Sequence, residues 1–204
     1  MIEVNIEIIR TERCAAAFQW MFRAFVFFLD FCLSVNNVHV DLLPDLIGWL
    51  MIASALTTIP DLSRVVPTLR TLSYWLLFLS LFDVIEIRIP MMQTGNVTTW
   101  MSPAFFLGII SMILDILLIW KLCGLIMAMA AAVDSTTIWQ RADFLRKLYV
   151  SFAALLSIAV LISFAVPPFV FIAVVVGLPV ALIVMCLMMG LMIGTANMCR
   201  GAVA

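Results

Sequence analysis

Residues 103–133 read PAFFLGIISMILDILLIWKLCGLIMAMAAAV. Asp115 and Lys121 are the charged side chains in this stretch, and everything between and around them is apolar or small. A helix that crosses a bilayer needs about 20 predominantly apolar residues, because each residue advances the helix by about 1.5 Å. The stretch is long enough for this, and it predicts a transmembrane helix over residues 103–126.

Five further stretches of the chain have the same apolar character. They are residues 15–35, 42–59, 69–89, 149–166 and 170–194. The whole chain is 66% hydrophobic and 11% charged, with a mean hydropathy of +1.23, and a soluble domain of 204 residues does not have this composition. No connection is long enough for a soluble domain. We therefore predict an all-α fold, a polytopic bundle of about six transmembrane helices that forms a single membrane domain over residues 1–204.

The positive charges fall on one side of the membrane if the six spans alternate in direction. The side chains on that side are Arg10, Arg13, Arg64, Arg70, Arg141, Arg146, Lys147 and Arg200. Arg88 is the basic residue on the opposite side, while Arg23 and Lys121 lie within spans. Lysine and arginine near span ends resist translocation, so the asymmetry sets the orientation. Both termini are therefore predicted to be cytoplasmic.

The division between the fifth and sixth spans rests on two prolines. Residues 149–194 are apolar throughout, and Pro167-Pro168 is the feature that separates them. Proline removes a backbone donor and disfavours helical backbone at the preceding residue, so we expect two helices here. The alternative is one crossing plus a re-entrant or in-plane segment, which would place the C-terminus outside.

Residues 134–147, between the fourth and fifth spans, have an amphipathic pattern. The residues on the apolar face are Ile138, Ala142, Leu145 and Tyr149, and the basic residues Arg141, Arg146 and Lys147 lie away from it. A basic amphipathic segment with a tryptophan, here Trp139, is typical of a helix that lies on a membrane surface. The pattern predicts an interfacial helix, with an ordinary solvated linker as the alternative.

Ionisable side chains within the spans are the candidate functional residues, because burying them in a membrane is costly. The candidate intramembrane polar cluster consists of Arg23, Asp30, Asp45, Asp83, Glu86 and Asp115. Helical spacing places polar or small residues on one face of the first span (Gln19, Arg23, Asp30), the third (Ser73, Ser80, Asp83) and the fourth (Gly108, Ser111, Asp115). These faces must avoid lipid, so we expect the three spans to pack together with those faces inward.

Two interpretations of the buried charges stay open. Counted along the predicted spans, acidic residues lie near the outer surface, Asp115 lies near the middle of the membrane and Arg23 lies in the inner half. This arrangement suggests a path for protons or cations. In the structural interpretation, Arg23 pairs with Asp115 or Asp30, and the charges only fix the register of the helices. Small bundles commonly use buried ion pairs in this way, so we expect the structural role.

The sequence has no pattern typical of an enzyme. His39 is the single histidine, so a zinc or bis-histidine haem site has no ligand set, and the cysteines show no C-x-x-C spacing. We expect no cofactor, no metal and no catalytic residues, and the net charge of −1 argues against a nucleic-acid partner. The expected function is a non-catalytic interaction or accessory protein of the membrane. The alternative is a small proton- or cation-coupled transporter or channel that uses its intramembrane carboxylates.

Small residues mark candidate helix contacts. Gly190 and Gly194 form a G-x-x-x-G pattern in the sixth span, and Gly124 and Ala128 begin a similar ladder in the fourth. Such residues let helix backbones approach closely. They predict packing within the chain or, alternatively, a homo-oligomer or another membrane protein as partner in the lipid bilayer.

The segment Leu43-Pro44-Asp45-Leu46-Ile47-Gly48-Trp49-Leu50 resembles an L-P-D-x-I-G-[WY] stretch of small multi-pass membrane proteins of bacteria. The resemblance covers about ten residues and implies a location in the bacterial inner membrane, with no activity attached. In physical terms, Gly48 at the outer end of the second span allows a close helix neighbour.

Overall fold

The computed structural model describes residues 12–28, 32–35, 38–41, 45–59, 65–84, 103–165 and 169–201. This part of the chain forms six helices: α1 (Glu12–Phe27), α2 (Asp45–Thr58), α3 (Val65–Val84), α4 (Pro103–Ala132), α5 (Thr136–Ala165) and α6 (Phe169–Cys199). Strands β1 (Cys32–Val35) and β2 (Val38–Asp41) form a small antiparallel hairpin between α1 and α2. Each of the six predicted stretches overlaps one helix, although several helices extend beyond the predicted bounds, and the described fold is all-α apart from the hairpin.

The six helices form a ring in which each packs against its neighbours in sequence. Contact between α1 and α6 closes the ring, with Sγ of Cys14 lying 3.5 Å from Sγ of Cys199. The short connections after α2, α4 and α5 place the helices that they join beside each other in opposite directions. The ring corrects the predicted grouping of the first, third and fourth spans, since the described part of α1 packs mainly on α2 and α6.

The first helix is shorter than the predicted span. It ends at Phe27, and Cys32–Val35, which we predicted to belong to residues 15–35, pairs instead with Val38–Asp41. Val35 lies opposite Val38 in this pairing. Branching at Cβ restricts valine rotamers in a helix and favours extended backbone, and this preference suits the hairpin.

A tight turn joins α4 to α5. Asp134 has a positive φ of 57°, and the N–H of Ser135 donates to the carbonyl of Ala130 at 2.8 Å. The N–H of Asp134 donates to the carbonyl of Ala131 at 3.4 Å, which completes the hydrogen-bond pattern of a Schellman motif. The carbonyl of Ser135 then accepts from the N–H of Trp139 at 3.2 Å and starts the next helix.

The structure corrects the predicted interfacial segment. Residues 136–147 are the first turns of α5, which continues without interruption to Ala165. The predicted apolar face is buried as expected, with Ile138, Ala142 and Leu145 in the main apolar core. Because α4 extends to Ala132 and α6 to Cys199, protein rather than the membrane surface covers this face.

The apolar core lies at one end of the ring, where α1 begins and α6 ends; we call this the packed end. Large side chains that are fully buried there include Phe18, Met21, Leu69, Leu122, Leu125 and Ile126. The opposite end, where α1 ends and α2 and α4 begin, is the open end. Arg70 of α3 reinforces the packed end, since its guanidinium donates to the carbonyls of Leu56 at 2.9 Å and Ile59 at 2.6 Å.

Within the described part of the chain, two helices contain segments long and apolar enough to cross a membrane, namely Phe106–Ala132 and Val175–Cys199. Only 33% and 22% of their apolar windows are buried inside the protein. Asp45–Thr58 and Val65–Leu81 are shorter apolar helices. These features support membrane association weakly, and the crossing of the membrane by all six helices stays a prediction.

The small residues predicted to mark helix contacts differ in how closely a neighbouring helix approaches them. A Cβ added at Gly194 would lie 2.9 Å from Cδ1 of Ile138, so α6 approaches α5 closely at this position. Gly190 and Gly124 have nothing within 4 Å of the corresponding point, and Ala128 is half-buried. Among the described residues, the predicted close approach therefore occurs at Gly194 and not at Gly190 or Gly124.

Gly48 makes the tightest contact of the glycines that the structure describes, between α2 and the end of α1. A Cβ at this position would lie 2.7 Å from Cε1 of Phe28 and 3.2 Å from the carbonyl oxygen of Ala24. We expect Gly48→Ala to lower the free energy of unfolding by about 1–3 kcal/mol, because a methyl group forces the two helices apart. Gly190→Ala is the matched control, since its Cβ meets open space. Thermal unfolding in detergent measures both, and equal melting temperatures for the two variants would contradict the close contact.

Candidate functional site

A pocket of about 700 Å³ occupies the centre of the ring toward the open end. All six helices contribute to its wall, for example with Phe25, Trp49, Leu79, Asp115, Tyr149 and Met188. The pocket exists because the large apolar side chains of the ring converge at the packed end and leave the centre unfilled above them. Its volume lies within the range of small-molecule sites in proteins.

Asp115 supplies a carboxylate in the wall of this pocket. The residue lies about 18 Å along α4 from Pro103, near the middle of the helix. The hydroxyl of Tyr149 on α5 donates a hydrogen bond to Oδ2 of Asp115. The two residues face each other because the turn at Asp134 reverses the chain between them.

The polar face predicted for α4 does line the pocket. Gly108, Ser111 and Asp115 all contribute to its wall, and Asp45 at the start of α2 contributes as well. The structure thus brings two members of the predicted polar cluster, Asp45 and Asp115, to one cavity. No lysine, arginine or histidine stands among the described residues that line it.

Arg23 does not join this site. It is exposed on the outer surface of α1, where its guanidinium carbon lies 5.4 Å from the centroid of the Trp20 ring. The buried face of α1 is the stripe of Cys14, Phe18, Met21 and Phe25, which repeats at helical spacing. That apolar stripe takes the inward position, so Arg23 does not turn inward to pair with Asp115. The alternative partner that we predicted, Asp30, lies outside the described residues.

The structure does not describe the side chains of the remaining acidic members of the predicted cluster. Asp83 lies in the last turn of α3. Asp30 and Glu86 fall outside the described residues. The cluster as a whole is therefore still a prediction, of which Asp45 and Asp115 are the part assembled around one cavity.

The serines predicted on the inner face of α3 are buried and bonded to their own helix. The hydroxyl of Ser73 donates to the carbonyl of Arg70 at 2.8 Å, and that of Ser80 donates to the carbonyl of Leu77 at 2.8 Å. Such bonds satisfy a hydroxyl without a partner from another helix. These serines therefore need no ligand to satisfy their hydroxyl groups.

Arg146, close to Tyr149 on α5, directs its charge away from the pocket. Its guanidinium carbon lies 3.3 Å from the centroid of the Trp120 ring, and Trp120 is itself partly exposed on α4. We predicted this arginine on the solvated side of the amphipathic segment. It packs on Trp120 instead, because the segment is part of a helix against α4.

Sequence reasoning missed the aromatic character of the pocket. Five aromatic side chains line it: Phe25, Phe28, Trp49, Tyr149 and Phe152. The rings of Phe28 and Trp49 pack with their centroids 4.7 Å apart and their planes at 53°. Aromatic residues scattered over apolar spans have no spacing that separates a pocket wall from a core or a lipid-facing surface. Trp49 belongs to the LPDLIGWL segment, which the sequence marked by its resemblance to other membrane proteins and not as part of a pocket.

The described residues contain no group of three or more histidine, cysteine or acidic side chains that could hold a metal ion. Comparisons of the chain with known protein families, with curated proteins and with solved structures find no match. The chemistry of the pocket is therefore the basis for assigning a function.

Proposed function

We propose that this chain is a multi-pass integral membrane protein with six spans and both termini in the cytoplasm. The one-sided distribution of Lys and Arg supports this threading. Large apolar side chains on the outside of the ring also support it: Leu155 is 66% exposed, Val175 70% and Leu178 62%. Apolar surface of this kind suits lipid as its neighbour. The resemblance of the LPDLIGWL segment supports the bacterial inner membrane as the location.

We propose further that the protein binds and passes a cation through the central pocket, as a small transporter or channel coupled to cations or protons. The observation that carries this proposal is Asp115, a carboxylate in a pocket whose described wall has no basic residue. A carboxylate removed from water needs a compensating positive charge or a proton. Because Arg23 is exposed on α1, it does not supply that charge. A solute cation or a proton can take this position.

Purified protein in liposomes tests this proposal. Wild-type protein should carry a flux across a panel of cations and pH gradients, and Asp115→Asn should abolish that flux while the protein remains folded. Asp143→Asn is the matched control, because Asp143 lies on the outer side of α5 in an ion pair with Lys147 at 2.6 Å. Loss of flux in both variants, or no flux with wild-type protein, would contradict the proposal.

A second candidate is the accessory role, in which the charges stabilise the bundle and the outer surface binds a second copy or another membrane protein. The hydrogen bond from Tyr149 to Asp115 favours it, because this bond joins α4 to α5. Under this alternative, Asp115→Asn and Tyr149→Phe should both lower the yield of folded protein. Wild-type yield for both, together with loss of flux for the first, would exclude it.

A further inference from the structure

We infer that the ligand of the central pocket is an organic monocation with a bulky apolar body, such as a substituted ammonium or phosphonium ion. This inference rests on the proposed function, in which the pocket takes a cation, and it specifies the class of cation. Three properties of the pocket lead to it: a carboxylate with no basic side chain among the described residues of the wall, an aromatic wall and a mostly apolar volume.

The aromatic wall favours an organic cation. Phe25, Phe28, Trp49 and Phe152 line the same cavity as Asp115. The face of an aromatic ring attracts a cation, and the attraction is strongest when the cation is poorly hydrated. Rings of this kind in one cavity with a carboxylate provide a site for a cation whose charge is covered by carbon groups.

The same wall is unsuited to an inorganic cation. Calcium takes six to eight oxygen ligands, and magnesium demands nearly octahedral oxygen coordination. Among the described residues that line the pocket, the side-chain oxygens are those of Asp45, Asp115, Ser111 and the hydroxyl of Tyr149, which already donates to Asp115. The other described side chains of the wall are apolar and offer no further oxygen ligand. The wall therefore offers an inorganic ion few groups to replace its hydration shell.

The volume of the pocket suits a ligand with an apolar body. About 700 Å³ is far more than a proton or a bare metal ion occupies. Met112, Met185 and Met188 contribute to the wall, and their flexible thioether side chains adapt to ligands of different shape. The cationic centre would lie beside Asp115, and the apolar substituents would contact the rings and methionines toward the open end.

Equilibrium binding of two ions of similar size and opposite charge tests the inference on the wild-type protein. The probes are tetraphenylphosphonium and tetraphenylborate, measured with full-length protein in detergent. Tetraphenylphosphonium should bind at least roughly tenfold more tightly, because a favourable charge interaction of about 1.4 kcal/mol changes a binding constant tenfold. Equal binding of the two ions would show an apolar cavity without charge selection and would overturn the inference.

Variants locate the binding site. Asp115→Asn and Trp49→Leu should each weaken binding of tetraphenylphosphonium, the first by at least roughly tenfold. Asp143→Asn, outside the pocket, should bind as the wild type does. If Asp115→Asn fails to fold, the comparison of the two probe ions and the binding to the Trp49→Leu variant still test the inference. Unchanged binding in Trp49→Leu together with equal binding of the two ions would refute the site.

The outcomes separate this inference from the proposed function. Rubidium or proton flux that depends on Asp115, without binding of tetraphenylphosphonium, would leave the cation function standing and overturn the ligand class. If neither cation flux nor binding of tetraphenylphosphonium is observed, the proposed function and the ligand class are both overturned. Binding of tetraphenylphosphonium that depends on Asp115 supports the ligand class even where no transport occurs.

Discussion

Phe18→Ala should lower the free energy of unfolding by about 3–5 kcal/mol, the range for removing a buried aromatic ring from a packed core. Phe18 has no exposed surface and lies on the buried stripe of α1, which packs against both α2 and α6. Because α1 and α6 close the ring, a cavity at this position weakens the closure as well as the local packing. Equilibrium unfolding in mixed detergent micelles measures the change.

Phe144→Ala is the matched control for this prediction. Phe144 lies on α5 with 59% of its surface exposed, so removing its ring leaves no cavity. We expect a change of less than about 1 kcal/mol, since substitutions outside the core usually have small effects. A loss of stability in Phe144→Ala as large as that in Phe18→Ala would mean that the packed end is not the stabilising core.

Arg70→Met should destabilise the protein by about 2–4 kcal/mol, since it leaves two carbonyls at the end of α2 without their charged donor. Nε of Arg70 lies 2.9 Å from the carbonyl oxygen of Leu56, and one terminal nitrogen lies 2.6 Å from that of Ile59. The last carbonyls of a helix have no partner within the helix, so an arginine from the next helix satisfies them. Methionine keeps the apolar stem and removes the donors.

Arg141→Met serves as the control for Arg70→Met, because Arg141 is exposed on α5. Thermal unfolding in the same detergent should shift strongly for the first substitution and little for the second. A lysine at position 70 should recover part of the loss, since its ammonium can reach one carbonyl but lacks the planar fork of a guanidinium. Equal melting temperatures for Arg70→Met and the wild type would contradict the capping role.

Part of the candidate site could be predicted from the sequence, and part of it could not. The spacing of Gly108, Ser111 and Asp115 predicted one polar face on α4, and this face lines the pocket. The same reasoning failed for Arg23, because the spacing of side chains shows which residues share a face but not which face turns inward. On α1, the apolar stripe through Phe18 takes that position, and Arg23 lies outside over Trp20.

The amphipathic start of α5 illustrates the same limit. Its apolar face through Ile138, Ala142 and Leu145 was predicted from the sequence, and all three side chains are buried. The sequence did not specify what covers them, because a membrane surface and a neighbouring helix are both apolar. Because α4 and α6 are long enough to reach this face, neighbouring helices cover it.

The sequence by itself determined the helical character of the chain, its apolar stretches and the apolar face at the start of α5. These properties depend on composition and on spacing within one turn or two, which are local. Only the tertiary structure decided how the helices are arranged in a ring, that Tyr149 meets Asp115, and that the described aromatic side chains Phe25, Phe28, Trp49, Tyr149 and Phe152 line one cavity. The physical reason is that these arrangements join residues far apart in sequence, and the packing of neighbouring helices around the ring sets their positions.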